Sequence, residues 1–523
     1  MRRSTALVAA TVLTLTGVPL LQSSAAVAAG SCPKPPQLTF SPASYVDRTR
    51  AGGEPLVATY PNGRLLYSSH AGTTHFFTPT AVNPGSTAFV QNYSGQTYVW
   101  TSDDNGKTWT FRPRLVPGQG VPGSGFSDPE FAIDSAGNVF FSEINLVNVA
   151  VSRSADKGST WSLQNIGGAL LTDRQWMEAD RKDELYFVGN GQPGGAGGGV
   201  VSGHYLSKST DGGKTFTASI PDSVGGQGLG DIRVDKRNGT VYEAHLTSGK
   251  QLSIAAFRKA RTGDLHATDT NVVAEKVDMT SHWPDFNLDP EGNLYITWSE
   301  SGKGGRAAGI WYSRSTDAGR TWVAPVKVST GTHTAIWPWL GVGDKGRVGI
   351  AWLEADRALP NSDAQTSGSY PWRIVAAATT TGLGCARFTE AVATPTPVHT
   401  GTICQNGTTC QATLTDRRLG DYFSVDVDNT GRMYVGYADT QIAAAVSLPA
   451  FVRQNGGPSL LVAHSGLSTA PTATTGQPQV AIPRKVLPGG SLAATGLADL
   501  VPLWGALLLV VGLLARRPRR STS

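Results

Sequence analysis

Four octets of one pattern, Ser-x-Asp-x-Gly-x-Thr-Trp, limit what this chain can fold into more than any other feature. They run Ser102 to Trp109, Ser154 to Trp161, Ser209 to Phe216 (Phe in place of Trp) and Ser315 to Trp322. Glycine at the fifth position supplies the positive φ of a tight hairpin. The aspartates Asp104, Asp156, Asp211 and Asp317 can accept backbone N–H bonds of that turn, with the Ser and Thr helping. The aromatic residue is expected to be buried beneath the hairpin. Four copies spread along a chain signify a repeated supersecondary unit, so the octets report architecture rather than chemistry.

One whole unit is legible from Trp283 to Val328 as a strand, a turn at Asp289-Pro290-Glu291-Gly292, a second strand to Trp298, a third from Gly309, the octet hairpin and a fourth strand. Turns equivalent to the first of these end at Gly63, Gly137, Asp183, Gly239, Gly292, Gly346 and Gly431. Seven turns predict an all-β propeller of seven four-stranded blades, the fourth, sixth and seventh lacking an octet. The octet resembles the Asp-box, or bacterial neuraminidase repeat, of the sialidase-like β-propellers. That resemblance implies a closed ring of blades with the hairpins as structural elements; it also keeps six blades open, the number in that family, if one unit is an insertion.

The ends of the chain read as address labels. Residues 1–29 have Arg2 and Arg3, an apolar stretch and Val27-Ala28-Ala29, the order of a secretory signal. The propeller is expected over 30–465, followed by a Thr-, Ala- and Pro-rich linker over 466–490. In 491–523, Leu492-Ala493-Ala494-Thr495-Gly496 precedes an apolar segment and an arginine tail. This order resembles a cell-wall sorting signal cut by a sortase between Thr495 and Gly496; a plain membrane anchor is the other reading. Both place the propeller outside the cell, in membrane contact through the C-terminal segment alone. Four cysteines in an exported chain favour disulfides over a metal site; of three connectivities, Cys404–Cys410 with Cys32–Cys385 is preferred. A net charge of +5, four of it in Arg516, Arg517, Arg519 and Arg520, gives no footprint for nucleic acid.

Chemistry is expected on the face away from the octets, where first strands begin and second strands end, around the channel mouth. The residues falling there include Arg174, Trp176, Glu178, Asp231, Arg233, Trp283, Asp285, Trp337, Trp339 and Glu300, with His70 and Asp128 beside them. Tryptophans beside carboxylates suit a glycan or other surface ligand, a carboxylate pair suits acid–base cleavage, and Ca²⁺ is a further candidate for the acids. The sialidase resemblance implies a tyrosine nucleophile at the start of the last blade, where Tyr422 stands, with Glu178 or Glu300 as its base. It also implies an arginine triad. Arg174, Arg233 and Arg418 are candidate members, but the first-strand arginine of that family is replaced by Gly53, with Arg50 the nearest substitute. The expectation is therefore a glycan-binding propeller without sialidase turnover; the alternative is a sialidase or other glycoside hydrolase using Tyr422.

Overall fold

A computed structural model describes residues 33–465 except 71–96, 114–126, 145–148, 168–174, 194–199, 218–219, 222–226, 407–409, 411–414, 442–446 and single positions at 34, 49, 51, 248, 281 and 282. The signal, linker and sorting segments, Arg174 and Cys32 lie outside the described residues.

Seven antiparallel sheets stand around one axis, each ordered from the centre outwards as the chain meets it. The innermost strands are Gly53–Thr59, Ser127–Ile133, Trp176–Ala179, Gln227–Asp235, Asp285–Leu288, Ala335–Val342 and Ser424–Val427. Each packs on the next and the last on the first, so the fold is a closed seven-bladed propeller. The seventh blade is completed from the other end of the chain: Thr39–Phe40 and Ser44–Tyr45 both pair with Leu448–Gly456, Thr39 lying opposite Gly456. Backbone hydrogen bonds thus fasten the ring, which leaves no broad sheet edge unpaired at the closure.

The octets fold as one hairpin repeated four times. In the fifth blade Ser315 Oγ donates to Asp317 Oδ1 at 2.7 Å and accepts the Gly319 N–H at 3.0 Å, with Gly319 at φ 80°. Asp317 also accepts both the N–H and the hydroxyl of Thr321, at 2.9 and 2.7 Å. The other three octets make the same bonds. Their aromatic residues Trp109, Trp161, Phe216 and Trp322 are half-buried, a correction to full burial. The ring wedges into the seam with a neighbouring blade and keeps one side towards solvent. Trp109, for example, packs on Tyr434 and Phe451 of the seventh blade. The fully buried tryptophans, Trp100, Trp298, Trp352 and Trp372, belong to the strands themselves. A disulfide joins Cys404 to Cys410, with Cα atoms 6.0 Å apart; Cys385 is also disulfide-bonded.

Candidate functional site

Four aromatic side chains close the channel towards the face where first strands begin. Tyr422 sits among Trp176, Trp283 and Trp339 with ring centroids 5.9, 5.9 and 5.7 Å away, and Trp176 touches Trp283 at 5.6 Å. All four are at most 6% exposed. With Trp337, which is equally buried, they form a plug whose sheer apolar area holds the inner strands together. The tryptophans expected as open sugar platforms therefore present edges at most. The plug divides the axis into two polar compartments.

Three blades start their first strand in the same strained way, the sixth at Trp337 with φ 54° before Pro338 and the first and second with acids above the plug. Glu54 and Asp128 each precede a proline, adopt φ of 46° and 48°, and sit in a β-bulge where the register with the second strand shifts. A non-glycine residue before proline strongly disfavours that conformation, at a cost of about 1–3 kcal/mol each. The bulges bring the two carboxyl groups together, with an oxygen of each and a ring nitrogen of His70 all within 4.8 Å of one another. Two buried carboxyls this close favour one proton between them over two charges. Burial raises Glu54 above the usual carboxylate range; for Asp128, burial followed by the Glu54 charge has the same effect, more strongly.

His70, at the end of the second strand of the first blade, places Nε2 2.7 Å from Glu54 Oε2. Burial pushes its imidazole down to about 4, so it is neutral at physiological pH. Glu54 Oε1 accepts the Asp421 N–H at 3.0 Å, and Arg417 holds Asp421 through two bonds of 2.6 and 2.7 Å. The Tyr422 hydroxyl donates to the Pro129 carbonyl at 3.2 Å. After burial itself, the Glu54 and Asp128 charges do most to hold that phenol protonated. Asp128, Asp421, Gln175 and the edges of Trp176, Trp283 and Tyr422 surround a cleft of about 10 Å³, room for about one water. Donor atoms of Glu54, His70 and Asp128 lie within 4.8 Å of one another, close enough to hold a metal ion.

Below the plug the channel opens to the octet face through two adjoining cavities of about 370 and 360 Å³ that share Glu178, Arg233, Lys236 and Asn287. Arg233 pairs with Asp231 and lies 3.8 Å from Asp285. Several acids here serve the backbone. Asp285 accepts the Leu340 N–H of the next blade at 2.6 Å, Asp426 accepts the Thr59 N–H at 2.5 Å, and Asp231 accepts the N–H of Ile232 at 2.6 Å. An innermost strand has no further strand to satisfy its inner N–H groups, and these carboxylates do so.

The sequence candidates are thus split. Tyr422, Trp176 and Trp283 border the upper cleft, while Trp337 and Trp339 lie in the plug region. Glu178, Asp231, Arg233 and Asp285 belong to the lower channel. Glu300 is buried elsewhere, accepting from Trp298, Arg306 and the Asp278 N–H. Arg418 is clamped to Asp416, and Arg50 pairs with Asp47 and stacks over Phe111. Among the described residues no guanidinium lines the Tyr422 cleft. Glu54 and Arg417 were not singled out from sequence. The available signal was a residue-Pro step recurring at the start of first strands, as Glu54-Pro55, Asp128-Pro129, Trp283-Pro284 and Trp337-Pro338.

No family model matches the chain, and no curated protein matches it. Solved structures of similar fold include a protein of unknown function from Dyadobacter fermentans, 15% identical, covering 81% of this chain and all of that one with a TM-score of 0.43. The protein YCF48, solved with a D1 peptide, is 12% identical, with 84% and 100% covered and a TM-score of 0.42. An α-L-arabinofuranosidase from Fusarium graminearum is 12% identical, with 80% and 98% covered and a TM-score of 0.41. At such identities the likeness concerns the fold alone.

Proposed function

We propose that a neutral glycan seats on the face over the upper cleft, widening it to admit the reacting carbon, and that its glycosidic bond is cleaved there with Asp128 as acid, Glu54 as base and Tyr422 as nucleophile. The observation that carries this reading is the pair of carboxyls brought within 4.8 Å of each other beside a buried phenol, where burial and mutual repulsion favour one proton over two charges. Cleavage with a covalent intermediate needs one carboxyl protonated and one ionised. Asp128 gives its proton to the leaving oxygen while the Tyr422 oxygen attacks the anomeric carbon and its proton passes to Glu54. Water then attacks the same carbon, Asp128 takes the water proton, and Glu54 returns its own to Tyr422. The pair ends as it began. In this sequence the phenol exchanges Pro129 for Glu54 as its acceptor.

Substrate charge follows from the cleft lining. Asp128 and Asp421 face it, and among the described residues the guanidinium beside it, Arg417, is bound to Asp421. A carboxylate sugar would meet repulsion and no fork of donors, so neutral glycosides fit better than sialosides. A panel of fluorogenic neutral glycosides and a sialoside tests the reading. Turnover of a neutral member, lost in Asp128→Asn, Glu54→Gln and Tyr422→Phe, is expected; turnover confined to the sialoside, or surviving Asp128→Asn, contradicts it.

The closeness of Glu54, His70 and Asp128 favours a second reading, in which the trio holds a divalent cation that orients the mouth. An imidazole among the donors suits Zn²⁺ or Mn²⁺ better than the Ca²⁺ expected from the acids alone. Turnover that needs added metal and fails in chelator would support it over the proton-sharing pair. The N-terminal signal and the Leu492 to Gly496 motif support an exported, wall-anchored protein. Thr495→Ala should move it from the wall fraction to membrane or medium, and an unchanged wall yield would leave a membrane anchor.

A further inference from the structure

The lower channel holds an acid with no structural task for one of its oxygens. Glu130 is 7% exposed; one carboxyl oxygen accepts the Phe131 N–H, while Oε2 has no hydrogen-bond partner. It borders the 360 Å³ cavity, whose wall also includes Leu56, Ala132, Leu340 and Trp339. A buried acceptor without a donor is costly unless something binds it.

We propose that this channel is a second binding site, separate from the upper cleft, for a small polyol carrying a primary ammonium group, the ammonium donating to Glu130.

Charge decides the sign of the ligand. Glu130, Glu178, Asp231, Asp285 and Asp426 face Arg233 and Lys236. Arg233 is already engaged by Asp231 and Asp285, and Lys236, half-exposed at the rim, donates to the Ile133 carbonyl. The acids therefore outnumber the cations available to them. Burial, with too little positive charge nearby, raises Glu130 well above the usual carboxylate range and Asp285 to about 8, so a bound ammonium would supply the charge that ionises Glu130. A bare metal ion does not fit the channel: among the described residues the one group of donors close enough to share an ion is Glu54, His70 and Asp128, above the plug. The space suits a compact organic frame instead, with apolar walls for its carbon skeleton and the Glu178 carboxylate and Asn287 amide on the shared wall for hydroxyls. Trp339 belongs both to this wall and to the plug, so the ligand would sit directly beneath the aromatic layer.

The test is titration calorimetry of the exported propeller with three probes of one frame, D-glucosamine, N-acetyl-D-glucosamine and D-glucose. Glucosamine should bind saturably at one site and about tenfold or more tighter than the two neutral sugars, the loss expected when a charge-assisted bond to a buried carboxylate is missing. Glu130→Gln should remove that preference, whereas Asp128→Asn above the plug should leave it intact. Equal binding of the three sugars, no saturable binding, or a preference that survives Glu130→Gln and disappears in Asp128→Asn would each overturn the proposal. The wild-type comparison needs no variant, so the result stands even if Glu130→Gln folds poorly.

Discussion

The two faces of the aromatic plug use the same residue types for opposite ends. Below it, Asp285 and Asp426 each lend an oxygen to an N–H of the neighbouring blade's inner strand, and Asp231 is tied to Arg233. Above it, Glu54 and Asp128 come within 4.8 Å of each other from strained bulges, and burial raises both above the usual carboxylate range. One set of acids mends the inner edge of the ring. The other stores strain and charge at a cleft, where functional groups are expected. A ring of carboxylates is thus no sign of a site until the partners of each oxygen are known, which is why Glu130 Oε2 stands out among the lower acids.

The largest expected effect separates the two sides by activity. Asp128→Asn keeps the size of the side chain but removes the proton of the pair, and should lower glycoside turnover by about a hundred- to ten-thousand-fold. The melting temperature should change little. Asp426→Asn, below the plug, should do the reverse, weakening the fold while leaving the turnover of the folded fraction intact.

Breaking the plug comes next. Trp176→Ala removes a buried ring that touches three other aromatics and should cost about 3–5 kcal/mol in chemical denaturation. Trp322→Ala, at a half-buried octet ring whose indole N–H donates to Gly319 at 3.1 Å, should cost roughly 1.5–3 kcal/mol. Equal losses would mean that the channel aromatics are no more central to the fold than the hairpins.

A smaller effect lies in pH. Burial above all pushes Asp231 and Asp426 up to about 6 and Asp285 up to about 8. A carboxyl whose folded pKa is raised binds its proton more tightly folded than unfolded. The stability it contributes is therefore complete below its unfolded value of about 4 and lost as pH rises towards 8. The octet aspartates run the other way: burial raises them, but hydrogen bonds from the Thr and Ser outweigh it and hold them below the usual range. Their contribution is lost as pH falls below about 4. Thermal melts from acid to mildly alkaline pH should show a maximum between these limits, and Asp285→Asn should reduce the decline on the alkaline side. A decline that is unchanged in that variant would show that Asp285 is ionised throughout.

Much of the ring was legible because turns and octets repeat, and a repeat is visible even where each copy is weak. The seven turns gave the seven blades, and the octet spacing gave the hairpins. Closure by Thr39–Phe40 was not legible, since a two-residue strand carries no periodicity and its partner lies at the far end of the chain. The site was harder still. Alternation along a strand tells inward from outward, but not on which side of a plug a residue falls: Trp176 and Glu178, two positions apart, end up in the plug and in the channel beneath it. Glu54 was not legible because the bulge that turns its carboxyl towards Asp128 is a feature of the backbone, not of composition.

The central claim, that the upper acids hold one proton between them while the lower ones serve the fold, is tested most directly by carbon-13 NMR. The propeller is labelled at its Asp and Glu carboxyl carbons, freed of metal by chelator, and assigned with Asp128→Asn and Glu54→Gln. At neutral pH the account predicts, beside the protonated carboxyls of the lower channel such as Asp285, a protonated carboxyl resonance that disappears in either upper variant and survives Asp426→Asn and Asp285→Asn. Glu54 and Asp128 signals that both titrate in the ordinary carboxylate range, with no proton retained at neutral pH, would contradict it.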